Sequence, residues 1–130
     1  MSRPGEFDTP ESKEAYKWEK HDLTAPLDLV KKNLERFNFV VYHKGWIPSQ
    51  FGYVAELQFS FVHIDVDLYE PTHDSLAFFY ERMVPGGIIL CDDYGSATCP
   101  GSKRAFDEFL RDKPEAVIPL TTGQAFIVKQ

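Results

Sequence analysis

The stretch "FVHIDVDLYEPTHDSLAFFYERMVPGGIILCDDYG", residues 61–95, decides the fold. Its apolar start, continuing "FSFVHID" (59–65), predicts a strand buried on both faces, as in a parallel sheet. Thr72, after Pro71, is placed to cap a helix over 72–83, where Leu76, Phe79, Tyr80 and Met83 share one face. "PGG" (85–87) closes that helix, and "IILCDD" (88–93) predicts a second buried strand. A strand, a crossover helix and a strand make the two strands parallel neighbours. Asp65 and Asp67 then stand at one carboxyl end, and Asp92 and Asp93 at the next.

That edge of an open α/β sheet is where such folds bind ligands. Up to four carboxylates converge on it, and unless protonated they need a cation, with Mg²⁺ the first choice for hard oxygen ligands. The plainer alternative is that strands end in polar residues and that "DDYG" is a turn favoured by aspartate's own backbone hydrogen bonds. Matching acidic pairs at the ends of consecutive buried strands favour a site over that alternative.

Outward from this unit, residues 1–23 are charged and aperiodic, and read as an irregular arm or lid; 24–130 form the folded part. Thr24 and Pro26 suit a helix start, with Leu27, Val30, Leu34 and Phe37 on one face. "FVVYHKG" (39–45) predicts a strand stopped by Gly45. Ser102 opens a helix with Ala105, Phe106, Phe109 and Leu110 facing inward, and "AVIPL" (116–120) and "GQAFIVK" (123–129) form a closing hairpin. The pattern is α/β, with a C-terminal antiparallel hairpin.

Composition narrows the function. The chain has 130 residues, 43% of them hydrophobic, and a net charge of −6. This describes one packed domain with no basic block for nucleic acid or an anionic membrane. Two cysteines, Cys91 and Cys99, are too few for a disulfide scaffold and imply a reduced, cytoplasmic setting. No apolar run approaches the ~20 residues of a membrane span. Acidic strand ends also occur in nucleotide-sugar glycosyltransferases and aspartate-dependent phosphatases, but neither predicts a second strand ending "GGIILCDDYG" after an intervening helix.

With D-x-D-L-Y, G-G-x-x-x-x-D-D-Y and K-G-W in hand, the sequence resembles the macrocin O-methyltransferase family, class I S-adenosylmethionine-dependent enzymes that methylate sugar hydroxyls. "NLERFNFVVYHKGWIP" and "CPGSKRAFDEF" extend the likeness, which covers roughly residues 20–129. The resemblance implies a Rossmann-like sheet with helices on both faces. It implies Mg²⁺ held by Asp65, Asp92 and Asp93, and cofactor contact at Asp65 and Val66. It further implies a small-molecule acceptor, a sugar or glycosylated natural product. Asp67 is the candidate base, or else a carboxylate that supports the site or caps the helix. His63 reads as a hydrogen-bonded core histidine and His73 as a candidate substrate contact. Trp46 and Tyr94 read as pocket lining or packing, Cys91 as unactivated, and Lys103 and Arg104 as a solvated face.

One departure stands out. No G-x-G occurs anywhere in the chain, although the family binds the donor through a glycine-rich loop. The chain therefore reads as the C-terminal part of the family domain, with Glu6 or Asp8 of "GEFDTP" left as a ribose ligand. Without a central first strand, either strand 39–44 moves to pair beside 59–65, or the chain associates through that edge into a homo-oligomer. The readings carried forward are an S-adenosylmethionine- and Mg²⁺-dependent O-methyltransferase, a glycosyltransferase, and a non-catalytic remnant.

Overall fold

The computed structural model describes residues 6–8 and 25–130. Thr24 and most of the expected arm lie outside them. Among the described residues, four strands form one sheet in the order β1-β2-β4-β3: β1 is Phe59–Ile64, β2 Met83–Cys91, β3 Ile118–Pro119 and β4 Ala125–Val128. Three α-helices accompany them: α1 (Leu27–Asn33), α2 (Tyr69–Tyr80) and α3 (Pro100–Leu110).

The deciding stretch folds as its pattern requires. β1 and β2 run parallel, with Val62 opposite Ile89 and Ile64 opposite Cys91, and α2 connects them. β2 starts earlier than the apolar run suggests, at Met83. The pairing jumps from Phe59↔Met83 to Phe61↔Ile88, so five residues of β2 advance against two of β1. Gly86, at φ 80°, supplies the left-handed residue that this bulge needs. β4 then pairs antiparallel with β2, and β3 with β4, completing the expected hairpin.

The register decides which side chains meet the helices. Val62, Ile89 and Ile127 form one row across the sheet, and Ile64, Cys91 and Ala125 the next. Leu76 and Tyr80 of α2 and Phe106 and Leu110 of α3 pack onto these rows. Leu76, Ile89, Phe106 and Ile127 are fully excluded from solvent, each worth about 1.5–3 kcal/mol of burial. Of the helices expected on both faces, the described residues supply those of this face. The opposite rows, Phe61-Ile88-Val128 and His63-Leu90-Phe126-Ile118, keep Phe61 57% and Ile118 41% exposed.

Three expectations are corrected. Residues 39–44 form no strand, either alone or beside β1, whose one ladder partner among the described residues is β2. An apolar run becomes a strand only where an edge receives its backbone groups, and Phe39 and Val41 stay about three-quarters exposed, at 77% and 74%. α1 is confined to seven residues, none of them buried. Thr72 is not a cap but lies inside α2, where its hydroxyl hydrogen-bonds to Ser102 Oγ at 3.2 Å. No helix of the described residues is long and apolar enough to cross a membrane.

Candidate functional site

Both acidic pairs fall where β1 and β2 end, on one edge of the sheet, because parallel neighbours finish side by side. Asp92 N–H donates to Ile64 O at 2.9 Å, carrying the β1–β2 ladder to the point where the carboxylates begin. Their oxygens sort into two adjoining groups. In one, ligand atoms of His63, Asp65 and Asp92 lie within 4.8 Å of one another; in the other, those of Asp67, Asp93 and Cys99 do.

Asp67 occupies a sharp turn. Its φ is 61°, and Leu68 N–H donates to Val66 O at 2.6 Å, closing a three-residue turn around it. A non-glycine residue held at positive φ carries backbone strain of a kind that concentrates at functional sites. The turn sends the Asp67 amide toward Asp93 Oδ2 at 3.3 Å and lets its carboxylate accept the Cys99 thiol at 3.7 Å. Val66 is half-buried and packs against the core.

Electrostatics follow from this crowding. Burial, then the neighbouring charges of Asp67 and Asp65, push the Asp93 carboxyl up to about 6. Burial and Asp65 likewise raise Asp67, and burial raises the Cys99 thiol to about 11. Asp92 moves the other way. Gln124 Nε2 donates to its Oδ1 at 2.7 Å and His63 Nε2 to the same oxygen at 2.9 Å, and these bonds hold its carboxyl below the ordinary range against the opposing effect of burial.

Other residues singled out from sequence take plainer places. His63 is not a core residue: its side chain is 40% exposed, because it lies on the sheet face opposite the rows that the helices cover. His73 stacks on Tyr69 and meets Phe109 edge-on, with ring centroids 6.0 Å from each. Trp46 is exposed. Tyr94 packs edge-on against Phe106 and donates to Asp107 at 2.6 Å, which makes it a packing residue. Cys91 is buried beside Ser102. Lys103 and Arg104 do form the exposed face of α3, paired with Asp107 and Glu108.

Asp8 accepts the Tyr69 amide at 2.7 Å and is buried at the start of α2. Gly101 lets it approach, since a Cβ there would run into the Asp8 carboxylate and come within 2.9 Å of Tyr69 N.

Residues 1–122 match the sequence profile of the family described as macrocin-O-methyltransferase (TylF). The chain belongs to that family. Membership sets the glycosyltransferase alternative aside. Over 81 residues, 59% of this chain and 31% of the relative, it is 32% identical to the 8-demethyl-8-(2,3-dimethoxy-alpha-L-rhamnosyl)-tetracenomycin-C 4'-O-methyltransferase of Streptomyces olivaceus. It is 30% identical over 84 residues to the demethyldecarbamoylnovobiocin O-methyltransferase of Streptomyces niveus, matching 62% of this chain and 31% of that one. The chain thus spans about a third of the length of these relatives. Its fold is similar to the solved structure of the O-methyltransferase NovP, with a TM-score of 0.62 at 24% identity, covering 79% of this chain and 44% of NovP.

The likeness in fold supports a class I methyltransferase sheet for this macrocin-O-methyltransferase family member. Sequence reading missed two polar residues of the site, Cys99 and Gln124. Gln124 was open to discovery: Cys91 pairs with Ala125 across β2 and β4, so the next positions, Asp92 and Gln124, face each other. Cys99 carries no comparable signal, because a loop between β2 and α3 sets its place.

Proposed function

We propose that this chain carries the C-terminal part of an S-adenosylmethionine- and Mg²⁺-dependent O-methyltransferase acting on a sugar-like hydroxyl. The observation that carries this reading is the crowding of Asp65, Asp67, Asp92 and Asp93 at adjacent strand ends, where burial and the neighbouring charges push the Asp93 carboxyl up to about 6. Carboxylates crowded at one sheet edge offer oxygen ligands suited to a hard divalent cation. Asp65 and Asp92, which share one group of ligand atoms, would hold it together with Asp93, which falls in the second group beside Asp67 and Cys99. When bound, the ion lowers the pKa of a coordinated hydroxyl.

Asp67 is then the base. Its raised carboxyl, beside the ligands, would take the proton that the acceptor hydroxyl gives up on methylation. When bound, S-adenosylmethionine would supply the methyl group and leave as S-adenosylhomocysteine. Val66, at the same strand end, would contact the donor. A rhamnosyl group stands in the printed name of one relative, which supports a glycosylated small molecule as acceptor.

Titration with Mg²⁺ or Mn²⁺ tests the ligand set. Asp92→Asn should weaken binding far more than Asp67→Asn, whereas identical curves for wild type and Asp92→Asn would end the reading. Calorimetry with S-adenosylmethionine separates a donor-binding chain from a non-catalytic remnant. Size-exclusion chromatography with light scattering reads whether the exposed β1 edge brings two copies together.

A further inference from the structure

Two hydrogen bonds converge on one oxygen of Asp92. Gln124 Nε2 and His63 Nε2 both donate to Oδ1, at 2.7 and 2.9 Å, while Oδ2 meets no hydrogen-bond donor among the described residues. The Gln124 amide is itself oriented, because Thr122 Oγ1 donates to its Oε1 at 3.0 Å and so turns the NH₂ toward Asp92. Thr122 and Gln124 belong to the turn between β3 and β4, a part of the chain that contributes no carboxylate to the site.

We infer that Gln124 is a positioning residue for the metal centre: held by Thr122, it acts with His63 to occupy Asp92 Oδ1 and leave Oδ2 as the atom that coordinates the ion. The physical reason is rotational. A carboxylate at the end of a strand turns about its Cβ–Cγ bond, and an ion that requires near-ideal geometry gains from a ligand whose rotation is already stopped. Two donors on one oxygen, approaching from β1 on one side of β2 and from the β3–β4 hairpin on the other, stop it from both sides. The hairpin thereby sets the geometry of a site to which it contributes no ligand.

This inference rests on the metal reading above, and the test separates the two. Mn²⁺ alone is titrated into the 130-residue chain, with free ion followed by electron paramagnetic resonance and the melting temperature of each metal-free variant measured in parallel. Gln124→Leu should raise the Mn²⁺ Kd about ten-fold or more, the usual range for losing a partner of a ligand. Thr122→Val, at an exposed position, should raise it by about two- to three-fold with an unchanged melting temperature, and it keeps the test decisive if Gln124→Leu fails to fold. His63→Gln, which retains an N–H donor, should stay closer to wild type than His63→Leu. If wild type binds Mn²⁺ and both Gln124→Leu and Thr122→Val bind it equally well, the positioning role is overturned and the metal site stands. If wild type binds no Mn²⁺, the metal reading falls and this inference with it.

Discussion

Replacing Asp93 by asparagine should stabilise the metal-free chain. In the fold, burial and the charges of Asp67, Asp65 and Asp92 lift this carboxyl from the ordinary 3.8 to about 6. For a dry group that displacement corresponds to about 3 kcal/mol at ~1.4 kcal/mol per pH unit. Asp93 is only half-buried, so solvent screening reduces the figure to about 1 kcal/mol. The sign follows from proton linkage. The folded chain binds more protons than the unfolded one between pH 3.8 and about 6, so stability falls as pH rises through that window. Above it the wild type carries the whole electrostatic cost, and below it none. Asparagine carries none at any pH and still presents an oxygen to the Asp67 amide. Thermal melts in EDTA should therefore place Asp93→Asn about 4 °C above wild type at pH 7.5, with the gap closing below pH 4. A variant that melts lower at pH 7.5, or whose advantage persists unchanged at pH 3.5, would refute the electrostatic account.

Other substitutions probe separate parts of the fold. Leu76→Ala, in the fully buried helix–sheet contact, should cost about 3 kcal/mol in urea denaturation. At Asp67, where φ is 61°, asparagine should fold within about 0.5 kcal/mol of wild type while valine loses about 1–2 kcal/mol, because a β-branched residue resists that conformation; equal losses would remove the strain argument. Gly101→Ala should expel Asp8 from the start of α2 and cost about 1–2 kcal/mol. Combined with Asp8→Ala it should add little more, which a double-mutant cycle would read as coupling.

Much of the fold was written in local pattern. β1, α2 and β2 arise from 33 consecutive residues, 59–91, whose apolar spacing changes from strand to helix and back. That change also placed both acidic pairs on one edge. What local pattern does not carry is the presence of a neighbour. Residues 39–44 have strand-like composition, but composition cannot say whether an edge will receive them. His63 fails for the same reason, since an alternating strand residue is interior only if its face is covered. The turn at Asp67 has no glycine or asparagine to announce it. Gln124 needed long-range pairing, from the final hairpin back to β2, before its partner became apparent.

The position of β1 at the margin of the sheet divides its backbone in two. Along a strand, successive amides point to opposite sides, so those directed at β2 are locked in the ladder while the alternate ones face outward and meet no other strand among the described residues. Deuterium should therefore enter β1 in a two-beat rhythm, every second amide exchanging rapidly beside a slow neighbour. β2, flanked on both sides by β1 and β4, should hold its protons along the run from Ile88 to Cys91. Whatever comes to lie beside β1, a further length of chain or another molecule, would announce itself by silencing the fast beat while leaving the slow one as it was.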